Sequence, residues 1–252
     1  MPDVALTVVI PVYNEAENVV PLVEELKSAL TSYRQTAEIL FVDDGSTDAT
    51  FKEIRKAQQS DSRVRVVRFR RNMGQTAALA AGFRLARGQA VVTLDGDLQN
   101  DPAEIPKMAA GLKDWDVVCG IRASRRDSWW KRMSSRIANG FRNWMTGDNI
   151  IDTGCTLKAF RRESLEHLEL YNGMHRFIPT LLKMQGFRVT QVPVRHRPRL
   201  SGKTKYGTWR RLVKGLGDVY AVRWMKKNQI QYAGQVELFE APERPLASTE
   251  PA

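Results

Sequence analysis

Short β-rich runs alternate with helical patterns through the first half of the chain, and no other feature restricts its folding options as tightly. The runs are 5–10 (ALTVVI), 37–42 (AEILFV), 63–69 (RVRVVRF) and 89–94 (QAVVTL), with helical patterns over about 15–33, 47–60 and 75–87 between them. Strands separated by single helices cannot close as hairpins. They pair side by side as βαβ units in a parallel sheet. A further strand is expected at 115–119 (WDVVC). Open sheets of this kind bind ligands beyond the carboxyl ends of their strands. Here those ends are polar: Pro11-Val12-Tyr13-Asn14-Glu15, Asp43-Asp44-Gly45-Ser46, Arg70 to Gly74, Asp95-Gly96-Asp97 and Gly120-Ile121-Arg122. The chemistry is therefore expected in one crevice.

Past residue 120 the pattern changes. A strand-like 154–160, a helix near 174–185 and a strand near 187–196 are flanked by two basic amphipathic segments. In 128–146, Trp130, Met133, Ile137, Phe141 and Trp144 recur at helical spacing while Lys131, Arg132, Arg136 and Arg142 fall off that line. In 208–227, Trp209, Leu212, Leu216, Val219 and Tyr220 are expected on one side. The formal net charge of +11 is concentrated in these regions. Residues 121–147 hold seven basic side chains against Asp127 alone, and 195–227 hold eleven against Asp218 alone. Such local basicity points to a polyanionic partner for one face. No apolar run approaches the roughly 18–20 residues that span a bilayer, and the N-terminus has no basic region of signal-peptide type. Cys119 and Cys155 are too few for a disulfide framework, which fits a reducing, cytoplasmic setting. One domain over 1–227 is expected, in two halves that meet at about 120, with a polar, disordered tail over 228–252.

The loop VVTLDGDLQNDP at 91–102 sets two carboxylates, Asp95 and Asp97, at a strand end. An EF-hand would need Gly and Glu where Asn100 and Pro106 stand. An aspartyl-nucleophile phosphatase would have Thr or Val where Gln99 stands. An Asp-Gly turn with a cap at Asn100 or Asp101 ahead of Pro102 explains the second half of the loop but not the acidic pair. A hard divalent cation, Mg²⁺ or Mn²⁺, explains the pair: it takes a couple of carboxylate oxygens and leaves places for water and substrate phosphates. A phosphate-bearing substrate follows, although neither GxxxxGK[ST] nor GxGxxG is present. A nucleic-acid-binding module would account for the basicity but leaves Asp95, Asp97 and PVYNE unexplained.

PVYNE (11–15), VDDGSTD (42–48), RNMGQTAALAAG (71–82) and LDGDLQNDP (94–102) resemble the GT-A glycosyltransferases of family 2. With RPRLSGKTKYG (197–207), the pattern is similar to the polyprenyl-phosphate branch, which includes dolichol-phosphate mannose synthase and undecaprenyl-phosphate sugar transferases. The resemblance covers roughly 5–210 and implies a GT-A (Rossmann-like) α/β fold with a mainly parallel sheet and C-terminal amphipathic membrane-surface helices, in which the half to about 120 binds the nucleotide sugar and the half over 121–227 faces acceptor and membrane. It implies that Pro11, Tyr13, Glu15, Asp43 and Asp44 contact the nucleotide, and that Asp95, Asp97 and Gln99 ligate the metal. Arg122 is then catalytic beside Asp95 and Asp97, and Arg199 and Lys205 bind donor or acceptor phosphate. Ser46 and Thr47 are read as helix caps, and His175 and His196 as structural.

The activity implied is an inverting, metal-dependent transfer of a hexose-type sugar from a UDP- or GDP-linked donor to a polyprenyl phosphate at the cytoplasmic membrane face. The alternative is a family-2 transferase acting on a soluble glycan or protein. The implied partners are the nucleotide sugar, the polyprenyl phosphate and an anionic membrane surface, with attachment through surface helices or a partner subunit.

Overall fold

The computed structural model describes residues 4–122, 140, 142–198 and 208–228. Leu6–Val12 (β1), Ala37–Asp43 (β2), Val64–Arg68 (β3), Ala90–Thr93 (β4), Val117–Arg122 (β5), Lys158–Arg161 (β6) and Val189–Val194 (β7) form one seven-stranded sheet in the order β3-β2-β1-β4-β6-β5-β7. β1, β2, β3 and β4 are parallel, as the alternation requires. β6 enters antiparallel between β4 and β5, and β7 pairs parallel to β5. The helices are Ala16–Tyr33 (α1), Thr50–Ser60 (α2), Gln75–Leu85 (α3), Ile105–Ala110 (α4), Ile178–Met184 (α5) and Thr208–Asn228 (α6).

β1 and β2 are buried almost throughout, the pattern of strands covered on both faces. α1 turns Val19, Leu22, Val23, Leu26 and Leu30 inward at helical spacing, against Leu6, Val8 and Ile10 on one face of the sheet. The opposite face buries Val9, Leu40, Val42 and Val91 under Ala78, Leu79 and Phe83 of α3, together with Ile178 and Leu182 of α5. Gly82 permits this approach, because a Cβ there would stand 2.3 Å from Val9 Cγ1. Cys119 and Cys155 are both free and buried, and burial pushes the Cys119 thiol up to about 12.

The α6 expectation requires correction. Val219 and Val222 pack against Met174, Phe177 and Leu181, whereas Leu216 and Tyr220, expected on the same side as Val219, are exposed together with Trp224. Leu216, Tyr220 and Trp224 recur every four residues and form a separate stripe. Most of the 128–146 helix, the side chains of Trp209 and Leu212, and the 228–252 tail beyond its first residue lie outside the described residues. Within 142–146 the backbone is helical and Trp144 is exposed. No helix among the described residues is long and apolar enough to cross a membrane.

Candidate active site

The loops after β1 and β2 are stitched together by short polar side chains. Asn14, at φ 55°, donates its backbone N–H to Ser46 Oγ (3.0 Å) and accepts from Thr47 N (2.9 Å) through its side-chain oxygen. Glu15 N donates to Thr50 Oγ1 at 2.8 Å. Ser46 and Thr47 therefore tie the two loops and do not cap α2. Asp48 takes the capping role, accepting from Thr50 N at 2.9 Å. Its short side chain sits two residues ahead of the N–H it serves, as such turns require.

Both aspartates of the second loop have protein partners. Asp43 is fully buried, accepts from Ser46 N (2.9 Å) and faces Arg68 Nε at 3.2 Å. Asp44 accepts from Met73 N and Gly74 N at 2.7 and 2.8 Å, which fixes the RNMG loop ahead of α3. Burial raises the Asp44 pKa, as does the neighbouring Asp43 charge, while those two N–H groups pull it back. Gly45 stands at φ 72°, and a Cβ there would lie 2.5 Å from the Arg71 carbonyl carbon. Gly45→Ala combines left-handed strain with a backbone clash and is expected to cost about 2–4 kcal/mol. The midpoint of urea unfolding, at unchanged slope, checks this.

β4 delivers Asp95 to the crevice. Leu98 holds φ 60°, a conformation unfavourable for a residue with Cβ, and its buried side chain anchors it there. Asp97 Oδ1 accepts from Gln99 N at 3.2 Å, and Gln75 Nε2 of α3 donates to Asp95 Oδ1 at 2.9 Å. Asp101 caps the turn at Pro102, accepting from Ala103 N (3.0 Å). The loop is also tied to the segment after β7: Arg197 N donates to Gln99 O at 2.8 Å, and Asn100 bridges to His196.

Facing this loop is an ion pair that the sequence did not signal. Arg122, at the end of β5, donates through Nε and Nη2 to the two oxygens of Asp152, both at 2.8 Å. Two parallel bonds fix the guanidinium plane. Gly154 makes room, since a Cβ there would stand 2.8 Å from Arg122 Nη2.

Pro11, Asp95, Gln99 and Arg122 line one cavity of about 540 Å³, together with Gln75, Asp152, Thr156, Lys158, His175 and Arg176. His175 Nδ1 lies 2.8 Å from Thr76 Oγ1, so this histidine stands in the cavity wall while bonded to α3. Asp97 is buried beside Gln99 and outside the cavity lining; Tyr13, Glu15, Asp43 and Asp44 lie at the neighbouring ends of β1 and β2. Arg199 and Lys205 lie outside the described residues. Lys158 and Asp152 escaped sequence reading because only the pairing of β6 brings them to the cavity.

Among the described residues, no three His, Cys, Asp or Glu side chains converge to hold an ion unaided. Two carboxylates and the Gln99 amide on one loop nevertheless suit Mg²⁺ or Mn²⁺, which use one or two carboxylates and complete their shell with water and substrate phosphates. The donor set fits such an ion.

Solved structures of other proteins share this fold. A mannosyltransferase from Pyrobaculum calidifontis, in complex with GDP-Man and Mn²⁺, superposes with TM-score 0.61 at 24% identity, covering 86% of this chain and 63% of that one. Glucosyl-3-phosphoglycerate synthase from Mycobacterium tuberculosis, in complex with Mn²⁺, UDP-glucose and phosphoglyceric acid, reaches 0.66 at 18% identity, covering 88% and 79%. These likenesses establish the GT-A fold. Dodecaprenyl-phosphate galacturonate synthase of Rhizobium johnstonii is 38% identical over 87% of this chain and 68% of its own length. Undecaprenyl-phosphate 4-deoxy-4-formamido-L-arabinose transferase of Edwardsiella ictaluri is 41% identical over 80% of this chain. The chain spans only 63% of that second relative. Residues 7–169 match the model of glycosyl transferase family 2, and the chain belongs to that family.

Proposed function

We propose that this protein is an inverting glycosyltransferase that moves a hexose-type sugar from a UDP- or GDP-linked donor to a polyprenyl phosphate at the cytoplasmic membrane face. The observation that carries the reading is the juxtaposition of the Asp95 loop and the Arg122–Asp152 pair across one cavity. The two relatives that act on polyprenyl phosphates support the acceptor class.

In this reading Pro11, Tyr13, Glu15, Asp43 and Asp44 hold the base and ribose, Asp43 and Asp44 chiefly by fixing the loops around them. Asp95, Asp97 and Gln99 hold Mg²⁺ or Mn²⁺, which neutralises charge on the diphosphate when bound. Arg122, clamped by Asp152, presents its remaining N–H groups to the diphosphate as negative charge builds there. Arg199 and Lys205 supply further phosphate contacts. An acceptor phosphate oxygen forms the new bond at the anomeric carbon while the sugar–diphosphate bond breaks, its electron pair leaving with the nucleotide. The acceptor is already anionic, so no strong general base is needed. Incubating the protein and Mn²⁺ with UDP- and GDP-sugars tests this, with a short polyprenyl phosphate and soluble glycans as competing acceptors. Sugar in the lipid fraction supports the reading; transfer only to soluble glycans overturns it.

Membrane attachment is assigned to the exposed stripe Leu216, Tyr220 and Trp224, with Trp144 beside it. Arg223 lies over the Trp144 ring at 5.8 Å, and Lys226 and Lys227 close the helix. Apolar side chains rimmed by cations suit an anionic lipid surface, at about 1 kcal/mol per basic residue near it. The protein is expected to float with anionic vesicles about tenfold more than with neutral ones, and Tyr220→Ala/Trp224→Ala to abolish recovery. Equal recovery with both vesicle types would contradict the assignment.

A further inference from the structure

Arg142 falls on the basic side of the 128–146 segment, yet it is only 6% exposed. Its side chain reaches across to the loop that carries Asp152. Nη1 donates to Thr153 Oγ1 at 2.8 Å, and Nη2 donates to the Ile150 carbonyl and to Asn143 Oδ1. One guanidinium therefore grips the chain two residues before Asp152 and one residue after it. Apolar packing does little to fix that stretch: Ile150 is buried, but Ile151 and Gly154 are exposed, and Asp152 and Thr153 are half-buried. The turn that carries Arg142 is itself held from two other elements. Lys226 Nζ of α6 donates to the carbonyls of Thr146 and Gly147 at 2.9 and 3.2 Å, satisfying acceptors at the helix end. Thr180 Oγ1 of α5 donates to Asp148 Oδ2. Burial lowers the Arg142 pKa, while the Asp148 and Asp152 charges raise it.

Asp152 sets the plane of the Arg122 guanidinium, and a side chain aimed by a polar contact is only as precise as the support behind that contact. Resting on the role proposed for Arg122, we infer that Arg142 is a positioning residue. Through Ile150 and Thr153 it fixes the Asp152 carboxylate, and through Asp152 it fixes the guanidinium that receives the nucleotide diphosphate. Arg142 lies outside the cavity lining and reaches the substrate only through that relay. The relay needs the guanidinium fork, because one donor must meet Thr153 while another meets Ile150. A lysine would keep the charge and lose the fork.

The affinity of the full chain for UDP and GDP in the presence of Mn²⁺ tests this, independently of sugar transfer. Arg122→Met is expected to weaken the tighter-binding nucleotide about thirtyfold. Arg142→Lys should weaken it about tenfold beside an intact Arg122, and by less than about twofold in the Arg122→Met background. A role confined to holding the fold would cost the same in both. Thr153→Val removes one contact and leaves the buried guanidinium in place. It should show the same dependence on Arg122 with a smaller loss, and it carries the test alone if urea unfolding shows that Arg142→Lys does not fold. An Arg142→Lys protein that binds like the unsubstituted one, or losses equal in both backgrounds, would overturn the inference and leave the transferase reading standing. Undiminished binding by Arg122→Met would overturn it together with the role proposed for Arg122. Failure of the unsubstituted protein to bind either nucleotide would overturn the transferase reading as well.

Discussion

Asp97→Ala is expected to lower sugar transfer by about 10³-fold or more, with only a small loss of stability. The proposed ion needs both carboxylates, and charge stabilisation at a departing diphosphate is the largest contribution such a site makes. In the folded protein Asp97 accepts a 3.2 Å bond from Gln99 N, so its removal costs the loop about 1 kcal/mol. Asp97→Asn keeps an acceptor for that N–H but not the charge. It should therefore fold like the unsubstituted protein and be nearly as inactive as the alanine variant. Chelation should mimic the loss, and added Mn²⁺ or Mg²⁺ should reverse it in the unsubstituted protein but not in Asp97→Ala. Activity indifferent to chelator would contradict the ligand assignment.

The second large effect separates stability from activity. Arg122 and Asp152 side chains are 16% and 12% exposed, so each neutralises a charge that water reaches poorly. Removing one partner of such a pair strands the other, at about 3–5 kcal/mol when burial is complete; the lower end applies beside a cavity. Asp152→Leu and Arg122→Met are each expected to destabilise by about 3 kcal/mol, and the double variant by clearly less than their sum. Activity should not recover in the double variant, because the guanidinium that meets the diphosphate is gone. Urea unfolding and kinetics on the same three variants read both quantities. Additive stability losses would mean that the pair is not coupled in solution.

Much of this framework is legible in sequence. β1 to β5 and α1 to α3 lie within a few residues of their expected places, because buried parallel strands and amphipathic helices carry their own periodicities. Asp95, Gln99 and Arg122 share a cavity because strand ends in such a sheet must converge. Non-local pairing is what sequence cannot reveal. The 154–160 run reads as a strand without a direction. Only its antiparallel insertion beside β4 turns Lys158 from an ordinary strand lysine into a cavity residue. Asp152 is a loop acid until β5 brings Arg122 within 2.8 Å of it. On α6, apolar residues occupy two adjacent stripes. Which stripe is buried depends on Met174, Phe177 and Leu181, elements distant in sequence, and so Val222 rather than Tyr220 joins Val219 in the core.

The central claim is transfer of sugar to a polyprenyl phosphate by this chain. Mass spectrometry of the organic-extractable lipid after reaction with nucleotide sugar and Mn²⁺ tests it most directly. The expected result is one sugar added to the polyprenyl phosphate, with an equimolar nucleoside diphosphate in the aqueous phase. An unmodified lipid, with the nucleotide sugar consumed only by hydrolysis or by transfer to a soluble acceptor, would contradict it.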